Sequence, residues 1–95
     1  MISVTILYPR TDDSTFDMEY YRSTHMPMFA DALGGACKSW TASFVAKGPW
    51  AASGFVLIEN KKAFDAAMAN HGAKIAADVA NYTNVVPTMV IGQVV

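Results

Sequence analysis

The sequence predicts an α+β domain in which a four-stranded antiparallel sheet carries its helices on one face. Short segments alternate between apolar and polar residues, longer segments keep a helical period, and turn residues separate them. Their order is strand, helix, strand, strand, helix, strand. That βαββαβ order is the ferredoxin-like split arrangement. The 95 residues leave room for one core, so a single domain over 1–95 is expected.

Each element follows from its residues. In 2–8, Ile2, Val4, Ile6 and Tyr8 point one way and Ser3, Thr5 and Leu7 the other, which is a strand ended by Pro9. The opening residues carry no charged leader and read as this strand rather than a signal peptide. A helix is expected from Asp17, an N-cap residue, with Glu19 in the first turn and Phe16 and Tyr21 placed as a hydrophobic staple. Pro27 removes a hydrogen bond and clashes with the carbonyl of Ser23, so this helix should kink or restart near His25. A second segment, Met28 to Leu33, is stopped by Gly34-Gly35. Residues 36–47 form the next strand, a loop runs from Gly48 to Gly54, and Phe55 to Glu59 completes a hairpin. Asn60 caps the second long helix, where Phe64, Met68, Ile75 and Val79 share a face and Gly72 is a candidate break. After a connector over 81–85, Val86 to Val95 is the last strand.

The composition narrows the partners. Hydrophobic residues make up 53% and charged residues 16%, against about 25% charged in an average globular chain. The excess of apolar residues excludes disorder. A net charge of −1 gives no footprint for nucleic acid or an anionic membrane. No apolar run is long enough to span a bilayer. The one cysteine, Cys37, excludes an intrachain disulfide and a cysteine-rich zinc site, and points to the cytoplasm. Both faces of the third and last strands look apolar: Phe55 and Leu57 oppose Val56 and Ile58, and Val86, Val90 and Val94 oppose Met89, Ile91 and Val95. One set of helices covers one face only, so a homodimer packed sheet to sheet is expected. The other reading is a monomer with an apolar binding face.

The segments Leu7-Tyr8-Pro9-Arg10, Phe16-Asp17-Met18-Glu19-Tyr20-Tyr21 and His25-Met26-Pro27-Met28, with Ala77 to Pro87 as a second signature, resemble the EthD family, named for ethyl tert-butyl ether degradation. The resemblance runs from the first strand to the last and implies the dimeric α/β-barrel superfamily, in which two ferredoxin-like units close one barrel. Its founding member is similar to an accessory protein of a haem monooxygenase degradation system. Some fungal relatives act as dehydratases or oxidases on aromatic polyketides, and the wider superfamily includes cofactor-free monooxygenases, lactone isomerases, haem enzymes and stress proteins. A shared fold does not choose among these.

His25 is the first candidate for chemistry. It lies where Pro27 disturbs the helix, and its ordinary pKa suits it to move a proton on a carbon acid or a phenol. Its other role would be to pin the kink through a freed carbonyl. Asp78, in an otherwise apolar stretch, either orients His25 or faces solvent. Tyr21 shares a helix face with His25 and is the third catalytic candidate. Tyr20, Trp40, Tyr82 and Met28 are candidates for binding an apolar aromatic molecule, and each is equally suited to the core. Trp50 reads as a rim or dimer contact, His71 as a partner of helix-end carbonyls, and Cys37 as inert. Two histidines without a third spaced ligand make a poor metal site, so no metal and no cofactor is expected. The expected function is a small cofactor-independent enzyme of oxygenase, dehydratase or isomerase type. It would act on an apolar aromatic or polyketide-like molecule with His25 as acid/base. The alternative is a non-catalytic accessory or small-molecule-binding protein supporting an oxygenase degradation pathway.

Overall fold

A computed structural model describes all 95 residues of the chain. The strands β1 (Ile2–Pro9), β2 (Cys37–Phe44), β3 (Trp50–Ile58) and β4 (Thr88–Gln93) form one sheet in the order β2-β3-β1-β4, with every neighbouring pair antiparallel. The period of two in β1 becomes a burial pattern: Ile2, Val4, Ile6 and Tyr8 are buried under the helices, while Ser3, Thr5 and Leu7 are only half-buried on the other face. Val56 and Ile58 of β3 join the buried side.

The helical layer comprises α1 (Met18–Tyr20), α2 (Met26–Leu33) and α3 (Lys61–Asp78), with a π turn over Tyr21–His25 between the first two. Asp17 caps α1 by accepting from the Tyr20 amide at 3.1 Å, and the expected staple forms, with the Phe16 and Tyr21 rings 5.0 Å apart. The disturbance expected at Pro27 takes the form of this π turn. Pro27 has no amide hydrogen to give, and its ring would meet the Ser23 carbonyl in a regular α-helix. The wider turn, closed by the Met26 amide on the Tyr21 carbonyl, accommodates both, and α2 starts immediately after it. Gly34, at φ 59°, ends α2.

Several boundaries differ from the sequence-based expectation, among them β2, which ends at Phe44 rather than 47, and α2, which begins at Met26 rather than Met28. β1 continues through Pro9, which pairs with Trp50 across a bulge and needs no amide hydrogen there. The hairpin loop is shorter than Gly48 to Gly54. Arg10 draws the carbonyls of Val45, Gly48 and Trp50 around its guanidinium, Gly48 turns at φ 115°, and β3 begins at Trp50. Gly54 is therefore a strand residue, and its lack of a side chain serves a close approach: a Cβ there would run into the Tyr21 hydroxyl oxygen. Gly72 does not break its helix, and α3 passes through it unbroken. The last strand spans Thr88–Gln93 only, matching the length of β1 that it pairs with, so Val86, Val94 and Val95 lie outside it.

The open sheet face is also less apolar than expected. Leu7, Phe55, Leu57 and Val90 are interleaved with Ser3, Thr5, Ser39, Thr41, Ser43, Ser53 and Thr88. No helix is long and apolar enough to cross a membrane.

The Gly54 contact makes a stability prediction. Gly54→Ala should lower the free energy of unfolding by about 1–3 kcal/mol through overpacking against Tyr21. Urea unfolding of the two proteins measures the difference, and an unchanged midpoint would show that the sheet and the π turn are not so closely seated.

Candidate active site

The elements that hold the candidate residues are tied together at one end of the sheet. The segment before α1 and the segment after α3 run side by side. The Asp17 amide donates to the Tyr82 carbonyl at 2.8 Å, Thr83 Oγ1 to the Thr15 carbonyl at 2.7 Å, and Asn84 bonds both the Thr15 amide and the Asp13 carbonyl. This zipper brings the end of α3 over the π turn. There His25 Nδ1 and Asp78 Oδ2 lie 2.9 Å apart. The other oxygen of Asp78 accepts from the Tyr20 hydroxyl at 2.7 Å and from Asn81 Nδ2 at 2.9 Å.

Both partners are removed from water: the side chains are 3% exposed for His25 and 13% for Asp78. Burial lowers the His25 pKa below 6.5 and outweighs the opposing pull of the Asp78 carboxylate. Burial acts to raise the Asp78 pKa, but the hydrogen bonds from Tyr20, Asn81 and His25 together hold it below the usual carboxylate range. At neutral pH the pair is therefore a carboxylate and a neutral imidazole. An ionised carboxylate only accepts, so Nδ1 carries the hydrogen and Nε2 keeps its lone pair.

Nε2 makes no hydrogen bond within the protein, and His25 forms part of the wall of a cavity of about 460 Å³ between the sheet and the helices. The rest of that wall is almost wholly apolar. Ile6 and Tyr8 come from the sheet, Phe29 from α2, Met68 and Ile75 from α3. Val86 and Met89, 83% and 46% exposed, stand at its rim. Gly72 lines it too, so the missing side chain in the middle of α3 leaves space in the cavity wall.

The sequence-predicted residues divide. His25 and Asp78 are brought together. Tyr20 reaches the site through Asp78, with burial adding to the rise that this hydrogen bond causes in its pKa. Tyr82 packs its ring against His25 at 4.6 Å and bonds the Tyr8 hydroxyl at 2.6 Å, without lining the cavity. Tyr21 stacks on the His25 ring at 5.6 Å, but its own hydroxyl is buried and unpartnered beside Gly54, and the side chain does not reach the cavity. Burial raises the pKa values of Tyr8, Tyr21 and Tyr82, so all three stay neutral phenols. Trp40 packs on the core from β2, and Met28 lines a separate groove with Asp31, His71 and Lys74. Neither is in the cavity wall. No cluster of three or more His, Cys, Asp or Glu side chains is placed to hold a metal ion. Sequence reasoning missed Tyr8, Phe29, Met68, Gly72 and the Val86-Pro87-Met89 rim. Of these, Met68 and Gly72 gave a signal, being one turn apart on the face that also carries Ile75.

No family model matches the chain, and no curated protein does. Solved structures do. An EthD-like protein from Ralstonia eutropha JMP134 is 38% identical over 99% of this chain and 91% of its own, with a TM-score of 0.87. An ethyl tert-butyl ether degradation (EthD) family protein from Bacillus halodurans C-125 is 16% identical over 100% of this chain and 99% of its own, with a TM-score of 0.74. A dimeric protein of ferredoxin-like fold from Bacteroides fragilis is 11% identical over 98% of this chain and 95% of its own, at a TM-score of 0.58, and is similar in fold alone. The identity to the first, sustained along nearly the whole of both chains, places this chain in the EthD family.

Proposed function

We propose that the protein is a small cofactor-independent enzyme acting on an apolar aromatic or polyketide-like molecule, with His25 as the acid/base. One observation carries the reading: a neutral histidine, fixed at Nδ1 by an ionised aspartate, leaves Nε2 as the one unpaired basic atom in an otherwise apolar cavity. The cavity volume of about 460 Å³ lies within the range of small-molecule sites. A ligand seated there gives up a C–H or O–H proton to the Nε2 lone pair. The imidazolium that forms is held by the Asp78 carboxylate, and the proton returns to the product from the same nitrogen. Tyr21, stacked on the ring, and Tyr82, tilted against it, keep the imidazole in one orientation.

We further infer that the protein is a homodimer closed over the open sheet face. Phe55 and Val90 stand 38% and 50% exposed there, beside Leu7 and Leu57. Support comes from the family and from the dimeric state of the Bacteroides fragilis neighbour.

Both readings are testable. His25→Ala should reduce turnover of aromatic polyketide-type compounds by about 10²–10⁴-fold. Because the His25 pKa is depressed, the rising limb of kcat/KM with pH should lie below 6.5. Asp78→Asn should move that limb to still lower pH, since a neutral amide no longer favours the imidazolium. Full turnover by His25→Ala would overturn His25 as the acid/base, and tight binding of such compounds without turnover by the wild type would make the protein a carrier or accessory. Sedimentation at micromolar concentration should give a mass near twice 10.3 kDa, and Phe55→Glu should halve it; a monomeric wild type would refute the dimer.

A further inference from the structure

Asp78 is an unfavourable place for a buried negative charge. It is the last residue of α3, where the carbonyl ends of the helix dipole repel an anion, and its side chain is 13% exposed. The one hydrogen-bonded neighbour that could bring a positive charge, His25, is neutral at physiological pH. Something else must keep Asp78 ionised, and it must do so without taking the oxygen that His25 uses.

The structure assigns that role to Asn81, acting with Tyr20 as a positioning clamp on Asp78 that fixes which nitrogen of His25 carries the hydrogen. The inference deepens the reading of His25 as the base of the cavity and rests on it. After Asp78 the chain tightens into a 3₁₀ turn over Val79–Asn81. In such a turn residues three apart eclipse, which returns the Asn81 amide over the Asp78 carboxylate. Asn81 Nδ2 donates to Oδ1 at 2.9 Å and Tyr20 Oη to the same oxygen at 2.7 Å, while Nδ2 also lies 3.5 Å from Tyr20 Oη. Oδ1 is thereby saturated from two elements, α1 and the turn after α3. Oδ2 is left for His25 alone.

The chemistry of the clamp matters as much as its geometry. An amide and a phenol donate hydrogen bonds without bringing a positive charge. A lysine or arginine at 81 would also keep Asp78 ionised, but it would neutralise the carboxylate that the imidazolium needs. The titratable groups around the pair are Tyr20 from α1 on the carboxylate, Tyr21 from the π turn and Tyr82 after α3 against the imidazole, and Tyr8 from β1 bonded to Tyr82. None of the tyrosines is charged in the working range. Asn81 bonds Oδ1 and does not line the cavity, yet by holding that oxygen with Tyr20 it keeps Oδ2 turned to Nδ1. A carboxylate oxygen held at Nδ1 keeps the hydrogen there and the lone pair of His25 on Nε2.

Side-chain nitrogen shifts of His25 and the carboxyl carbon shift of Asp78, followed by NMR across pH, test this in the full-length protein. No ligand is needed, so the outcome stands apart from whether the cavity turns anything over. In the wild type His25 should be the Nδ1–H tautomer at neutral pH. Asn81→Ala, at an exposed position, should raise the Asp78 titration by about one pH unit. Asn81→Asp, which replaces the donor with a like charge, should raise it further. Tyr20→Phe should act in the same direction as Asn81→Ala, and in each variant the Nε2–H tautomer should gain population at neutral pH as Oδ2 loses its fixed place at Nδ1. The clamp is overturned if the variants that keep the native amide spectrum show the wild-type Asp78 titration and the wild-type tautomer.

Discussion

The site depends on a missing hydrogen bond. Pro27 has no amide hydrogen, and the backbone answers with a π turn instead of a sharp bend. The turn allows Tyr21 and His25, four residues apart, both to be fully buried on the inner side of a helix that stays continuous into α2. It also gives Tyr21 its place over Gly54, so the helical layer sits close on the sheet at the point where β3 lacks a side chain. The turn, the glycine in the sheet and the orientation of the imidazole are therefore one arrangement.

Burying a histidine and an aspartate in a small core has to be offset locally. An isolated buried carboxylate would take up a proton. Here each polar atom of the pair that faces the protein has a partner: Nδ1 has Asp78, Oδ2 has His25, and Oδ1 has Tyr20 and Asn81. The single atom without one is Nε2, on the cavity. Around this line the rings of Tyr8, Phe16, Tyr21 and Tyr82 meet edge to face or tilted at 4.9–5.8 Å, which supplies rigidity without charge. A rigid apolar surround also explains why burial outweighs Asp78 in setting the pKa of His25: the same shell that holds the ring keeps water from stabilising its cation.

The sheet and its order were legible because β1 alternates cleanly and the order of elements leaves few topologies open. The dyad was legible in part. His25 and Asp78 were singled out by a proline two residues on and by an acid in an apolar run, both local signals. What brings them within 2.9 Å is not local: it is the pairing of Phe16 with Thr83 and the Asn84 bonds across the chain. Tyr21 illustrates the limit. Spacing placed it on the His25 face, correctly, but a helix period does not say whether a hydroxyl ends in a cavity or against a backbone. Gly54 reads as the end of a loop and Gly72 as a helix break, because the sequence marks a glycine's freedom and not the neighbour that requires its small size. Gly54 makes room for a phenol and Gly72 for a cavity. Trp40 and Met28 have the right chemistry for an aromatic site, but one lies on β2, at the far edge from the β4 rim, and the other in the separate groove between α2 and α3.

The excess of apolar over charged residues divides between the two sides of the sheet. On the helix side it builds the core and the cavity wall. On the other side it is diluted by serine and threonine, so that Leu7, Phe55, Leu57 and Val90 form a sparse patch rather than a continuous one. Such a mixed face suits association through packing together with hydroxyl hydrogen bonds, and would be a poor continuous core. The sheet lies between this patch and His25, so a second copy seated there leaves the cavity rim at Val86 and Met89 clear of the face it covers. The mixed patch and the cavity thus lie on opposite faces of the same strands. A residue of β1 faces one or the other according to whether its number is odd or even: Ile6 and Tyr8 line the cavity, and Thr5 and Leu7 face away from it.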